Sequence, residues 1–302
     1  MLKCIFCGEE YPEEINETHC FCGNSKAQYT NLYSTTIHNY PFKDTPLEEY
    51  SKNIFLKRED KNLFGTFKDR KSTLIKYVRV PYFHKGKYAF SCGTRPFKTK
   101  FALASSGNQA ISFGNICPEF VQSTYLYISP HIAPEKLAKL QMYKEIIFVD
   151  KILSDPELRK FEDDRWNITN GMDPIGASAL YKLGMELESH DFDNIIVPLG
   201  SGELYSMLAV YFNILRKKPT KIYPVQCRLP EADAIKTDFV AMTPFLEHFK
   251  PRTVELYEDD RKDIQSYANA YDCEFSSAVV FVARDILNLS GKTCLVVTGA
   301  KK

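Results

Sequence analysis

The 302-residue sequence contains no apolar run near the roughly 20 residues that a membrane-spanning helix requires. The opening Met1-Leu2-Lys3-Cys4-Ile5-Phe6-Cys7 has no apolar core of signal-peptide length, so a cytoplasmic location is expected. No charge surplus is present: 39 basic residues face 38 acidic ones, a formal net of +1. A dedicated nucleic-acid binder, which carries a strongly basic balance, is therefore not expected. Repeats and low-complexity tracts are also lacking. Hydrophobic residues at 44% and charged residues at 25% exclude a disordered, collagen-like or coiled-coil chain. What remains is a globular protein of one or two domains with ample core.

The nine cysteines form an odd set, so complete internal disulfide pairing is impossible. In a reducing compartment, metal ligands and buried thiols are the better readings. Cys4, Cys7, Cys20 and Cys22 fall within the first 22 residues as C-x2-C, twelve intervening residues, then C-x-C. Gly8 and Gly23 follow the two pairs, and two such knuckles can wrap four thiolates around tetrahedral zinc. The competing reading is four free thiols at a frayed terminus. Cys227 and Cys294 sit in apolar strand-like runs and Cys117 in a helical segment, and all three read as core.

Past the cysteines, strand-like and helix-like segments alternate. Strands are expected at 53–56, 101–104, 125–128, 145–149, 194–197, 221–226 and 293–297. Helices are expected from about Lys68 to Val80, from Asn108 to near Pro118, and over 134–143, 175–187, 204–215 and 276–289. Residues 86–98 read as a loop, and 230–272 as a long irregular stretch. Continuously apolar strands alternating with helices imply an α/β fold with an open parallel sheet covered on both faces. Ligands in such sheets bind beyond the carboxyl ends of the strands, where three turns fall: Ser105–Asn108, Leu199–Glu203 and Thr298-Gly299.

Each turn has a functional and a plain reading. Gly200-Ser201-Gly202-Glu203-Leu204 follows a strand and opens a helix, so its backbone N–H groups can converge on a phosphate. It is otherwise a tight turn, and Glu203 would repel a phosphate unless it points away. Ser105-Ser106-Gly107-Asn108-Gln109 could hold a carboxylate at a helix start, or supply an N-cap. Lys68, with Phe64 and Phe67 beside it, opens a helix and could be a burial-activated nucleophile, or an ordinary helix-start lysine.

Taken together and in this order, these motifs resemble the fold-type-II pyridoxal-phosphate (PLP) enzymes, with threonine synthase and cysteate synthase as the nearest subgroup. Lys57-Arg58-Glu59-Asp60 with Gly65-Thr66-Phe67-Lys68-Asp69-Arg70 resembles the family's cofactor-lysine motif. Ser105-Ser106-Gly107-Asn108 resembles its S-G-N loop, and Val197 to Gly202 its phosphate loop. Thr298-Gly299 resembles the family's terminal T-G, and the four-cysteine ribbon the N-terminal module of many threonine synthases. The resemblance implies a two-domain architecture: a zinc-ribbon-like module over 1–28, a large PLP-binding domain over 29–80 and 165–302, and a small domain over 81–164.

It also implies roles. Lys68 would form the internal Schiff base and shuttle protons. Asn108 would bond the cofactor's phenolic oxygen, and Ser105, Ser106, Gly107, Asn108 and Gln109 would hold the substrate carboxylate. The backbone of Gly200, Ser201, Gly202, Glu203 and Leu204 would bind the cofactor phosphate. Thr298 would face the pyridine nitrogen and leave it unprotonated, which suits β- or γ-elimination and replacement. The family usually carries glycine where Glu203 stands. The implied reaction is O-phosphohomoserine to threonine, with cysteate-type β-replacement or dehydration as alternatives. A homodimer is the implied assembly.

Residues 57–100 hold thirteen basic and three acidic residues, a local net of +10. This reads as a field attracting an anionic substrate such as a phosphorylated amino acid, or as a solvated basic face. The same face with the zinc ribbon could instead make a non-catalytic nucleic-acid or protein adaptor.

Overall fold

The computed structural model describes residues 1–12, 20, 22, 32–36, 43–84, 100–150, 165–236 and 240–301, with backbone alone at 78–84 and 165–166. The expected loop over 86–98 and Cys92 lie outside these residues. The N-terminal strands β1 (Leu2–Cys4), β2 (Glu10–Tyr11) and β3 (Leu32–Ser34) form an antiparallel sheet in the order β2-β1-β3. Strands β4 (Leu47–Ser51) and β5 (Ile54–Arg58) follow. Next come β6 (Lys100–Ala104), β7 (Thr124–Ile128), β8 (Glu145–Phe148) and β9 (Arg165–Asn167), which form a four-stranded parallel sheet in the order β8-β7-β6-β9. The last strands are β10 (Asn194–Pro198), β11 (Lys221–Cys227), β12 (Val254–Leu256) and β13 (Thr293–Val297). With β4 and β5 they make a six-stranded sheet in the order β12-β11-β10-β13-β5-β4.

Alternation along the central strands shows why this sheet is covered on both faces. Ile195 and Val197 of β10 and Cys294 and Val296 of β13 enter one core. It is closed by the helical run from Pro174 to Glu188 and by the helix Glu203–Ala209, which continues as a π-helix over Val210–Leu215. The intervening Ile196, Leu295 and Val297 enter the other core, closed by the helices Arg261–Ala270 and Phe275–Leu287. Each fully buried aliphatic or aromatic side chain here contributes roughly 1.5–3 kcal/mol. Cys117, Cys227 and Cys294 are all fully buried, as expected of core thiols.

Several expectations need correction. The large sheet is mixed, because β4 runs antiparallel to β5 at its edge. The small sheet takes in β9 beside β6, and the N-terminal sheet takes in β3, with Ile5 and Tyr33 packed into the large core. The stretch 230–272 is not irregular: it holds the helix Thr243–Phe249, strand β12 and the helix Arg261–Ala270. That last helix buries only Ile264 and Ala268, a stripe too thin for apolar periodicity to reveal. The helix from Pro134 ends at Lys139, because Leu140 and Tyr143 turn into the small core and the Tyr143 hydroxyl donates to the Ala110 carbonyl at 2.7 Å.

The basic segment 57–100 is also different in kind from its sequence reading. Lys57, Arg58, Lys68, Arg70 and Lys71 are buried, so at these positions the charge is neither a solvated face nor a long-range field. Lys57 lies 2.6 Å from Glu186, and Arg70 binds Glu59 through Nε and Nη2 at 2.7 and 2.8 Å while its Nη1 reaches Glu186 at 2.8 Å. Arg58 pairs with Asp60 at 2.6 Å and with Glu48 at 3.1 Å. Carboxylates from outside the segment, Glu48, Glu186 and Glu203, pair with Arg58, Lys57, Arg70 and Lys71.

Burial alone would push the Glu59 carboxyl up. The Arg70 guanidinium, the Thr45 hydroxyl and the Lys57 charge outweigh it and hold Glu59 below the usual carboxylate range. A carboxyl lowered in the native state contributes stability above its unfolded pKa, and that contribution is lost as pH falls through the native value. Glu59→Gln is therefore expected to destabilise by about 3–5 kcal/mol at pH 7, through an under-paired buried Arg70. Urea melts from pH 7 down to pH 3 should show this gap narrowing; a gap independent of pH contradicts the assignment.

Candidate active site

The six-stranded and four-stranded sheets present a shared cleft. Lys68, the first residue of the helix Lys68–His84, lines it with its side chain over the Phe67 ring. Its position is fixed by the chain's end: Thr66 bridges to Gly299, the Phe67 N–H donates to the Thr298 carbonyl at 3.0 Å, and the Ala300 N–H to the Gly65 carbonyl at 2.9 Å. Lys68 and Thr298, 230 positions apart, thereby enter one cleft.

Thr298 sits at the end of β13, and its Oγ1 lies 2.9 Å from Ser277 Oγ. Ser277 in turn accepts from the Gly299 N–H at 2.8 Å. Ser277 belongs to the helix Phe275–Leu287, and in the sequence it is one more small residue of an apolar helix, with no sign of this contact.

The Ser105–Gln109 turn follows β6. Ser105, Ser106, Asn108 and Gln109 line the cleft; Gly107 does not. Gly107 takes φ +120°, and a Cβ there would meet Lys136 at 2.9 Å, so the turn needs glycine. Ser105 Oγ accepts from the Gly107 and Ala110 N–H groups at 3.0 and 3.3 Å, so it does serve as a cap. The Gln109 amide is engaged at both ends, donating to the Ile168 carbonyl at 2.5 Å and accepting from the Asn170 N–H at 3.0 Å. Asn108 Nδ2 lies 2.8 and 3.0 Å from the two oxygens of Glu274. Glu274, also in the cleft, was not identifiable from sequence: a carboxylate just before a helix reads as a cap, yet its side chain caps nothing.

The turn Gly200–Leu204 follows β10. A Cβ on Gly200 would meet the Ala234 carbonyl at 2.6 Å, and Gly202 adopts φ +91° with Met242 and Val240 about its α-carbon. The Met242 N–H donates to the Ser201 carbonyl at 3.0 Å and pins the turn. The first N–H groups of a helix have no partner within it, so this turn forms an anion cradle at positive potential. Glu203 does not enter the cradle as a bare charge. Its Oε1 accepts from Lys71 Nζ at 2.7 Å and from the Gly171 N–H at 3.1 Å.

Two observations show that these residues fit PLP. The cradle is built where side chains have no room, and Asn170 Oδ1, on the same cleft wall, is buried with no hydrogen-bond partner among the described residues. A nucleophilic amine, a glycine-walled anion site and a neutral hydroxyl, brought together from distant segments, can hold a phosphorylated aldehyde.

At the N-terminal sheet, the Sγ atoms of Cys4, Cys7, Cys20 and Cys22 all lie within 4.8 Å of one another. Cys4–Cys22 and Cys7–Cys20 are 3.7 and 3.6 Å apart, too long for disulfides. Ligands about 2.3 Å from a tetrahedral zinc stand about 3.8 Å apart, close to both values.

Among the described residues no helix is long and apolar enough to cross a membrane. The chain matches no curated protein sequence significantly. Its backbone is similar to maize serine racemase, at 18% identity and TM-score 0.67 over 86% of this chain and 89% of the other. It is also similar to O-acetylserine dependent cystathionine β-synthase from Helicobacter pylori, at 17% identity and TM-score 0.68 over 86% and 94%. Cysteine synthase from Entamoeba histolytica is a third, at 16% identity and TM-score 0.63 over 88% of each chain. A family profile described as pyridoxal-phosphate dependent enzyme matches residues 35–297, and the chain belongs to that family, with its fold-type-II architecture.

Proposed function

We propose that the chain uses PLP bound through Lys68 to eliminate or replace a β- or γ-substituent on a small amino acid. What supports this reading most is the convergence of Lys68, Asn108, Gly200–Leu204 and Thr298 on one cleft. The cofactor, when bound, supplies an electron sink for bonds at the substrate α-carbon. The amine of Lys68 takes and returns the proton there. The backbone N–H groups of Gly200 to Leu204 bind the phosphate. Ser105, Ser106 and the start of the helix Asn108–Ile116 orient the substrate carboxylate, and Gln109 holds that helix against residues 168–170. The Thr298 hydroxyl, which shares a hydrogen bond with Ser277 Oγ, would face the ring nitrogen and leave it unprotonated. Asn108, anchored by Glu274, faces the phenolic oxygen.

Within this class, O-phosphohomoserine to threonine is the first reaction to test. The expected partner is a small amino-acid substrate, and a homodimer is the proposed assembly. Lys57, Arg58, Lys68, Arg70 and Lys71 are buried and lend no long-range field to a phosphorylated substrate, so this reaction rests on the motif resemblance. PLP-loaded protein titrated with O-phosphohomoserine should change its visible spectrum and release phosphate with threonine, while O-phosphoserine should do neither. Turnover of O-phosphoserine or O-acetylserine would move the assignment to β-replacement, and keto acid with ammonia from serine or threonine would move it to deamination. A chain that binds no PLP overturns the reading.

We further propose that Cys4, Cys7, Cys20 and Cys22 hold one structural zinc. Protein purified without chelator should carry about one zinc per chain, and Cys4→Ser with Cys20→Ser should abolish it. Less than a tenth of an equivalent in the unsubstituted protein contradicts the site.

A further inference from the structure

Glu203 is the first residue of the helix that begins at the phosphate cradle, where a carboxylate is itself an anion competing for the same N–H groups. Lys71 stands one helical turn beyond Lys68. The Lys71–Glu203 pair is almost wholly enclosed, at 1% and 2% side-chain exposure. Lys71 Nζ also donates to the Thr169 carbonyl at 3.1 Å. The pair thus joins three pieces of chain that meet at the cleft: the lysine helix, the segment Thr169–Gly171, and the phosphate turn.

We propose that Lys71 and Glu203 are positioning residues that hold the phosphate cradle open and at a fixed distance from Lys68. This rests on the reading of the cleft as a PLP site. Lys71 neutralises Glu203 and draws its carboxylate away from the N–H groups of Gly202 to Leu204. Released from Lys71, the carboxylate swings onto those groups and occupies the cradle as an internal substitute for phosphate. The clamp therefore governs affinity for the phosphate moiety specifically, not for the aldehyde ring.

The test compares dissociation constants of PLP and of phosphate-free pyridoxal, read by fluorescence, in the full-length protein. Lys71→Met is expected to weaken PLP by about tenfold or more while pyridoxal stays within about threefold. Adding Glu203→Gln to Lys71→Met should restore PLP affinity to within about threefold of the unsubstituted protein. Glu203→Gln alone keeps the acceptor for Lys71 and removes the negative charge, so it should bind PLP at least as tightly. It should also gain more thermal stabilisation from inorganic phosphate than the unsubstituted protein does. The double variant leaves no buried charge unpaired, and so carries the test even where a single variant does not fold. Equal weakening of PLP and pyridoxal, a double variant no better than Lys71→Met, or weaker PLP binding by Glu203→Gln overturns the clamp. Failure of the unsubstituted protein to bind PLP overturns the cofactor site instead.

Discussion

The cleft depends on a set of ion pairs buried around the first turn of one helix. Arg70 and Lys71 leave that helix in different directions, Arg70 to Glu59 and Glu186, Lys71 to Glu203. Lys57 on the central sheet shares Glu186 with Arg70, so β5, the lysine helix and the helix Tyr181–Glu188 meet at one carboxylate. A buried pair is often neutral in net stability, but removal of one partner is costly. Such pairs therefore specify an arrangement more than they strengthen it. Here the arrangement is the placement of Lys68.

The remaining walls are attached to that placement by backbone bonds. The chain's last residues bond the turn before Lys68, and so bring Thr298 beside it. The small sheet is tied in by Gln109, which spans to 168–170, and by Thr169, whose hydroxyl accepts from the Ala104 N–H at 2.9 Å. The ribbon is joined as well, for Cys4 and Cys20 pack with Ile175 at the start of the helical run behind the phosphate turn. The pieces that hold a ligand share one connected framework.

Much of this was legible in the sequence because its signals are local. Apolar runs such as Ile195–Val197 and Leu295–Val297 announce strands buried on both faces, and glycines at 200 and 202 announce a turn with no room for side chains. The lysine, the S-G-N turn and Thr298-Gly299 stood out through their resemblance to the family's motifs. What stayed hidden is what depends on distant partners. Glu203 looked like a defect in a phosphate loop because Lys71 is 132 positions away. Glu274 gave no signal because Asn108 is 166 positions away. The basic segment looked like a surface field because Glu186 and Glu203, which pair with its buried Lys57, Arg70 and Lys71, lie outside it. Strand β4 and the helix Arg261–Ala270 were missed because each buries too few residues to leave a period.

The central claim is that this framework delivers one particular amine to PLP. Borohydride reduction of the PLP-loaded protein, followed by peptide mass mapping, tests it most directly. The account predicts a stable phosphopyridoxyl mass on the peptide carrying Lys68, on that residue alone. The same label on Lys71, or spread over surface lysines, would contradict it.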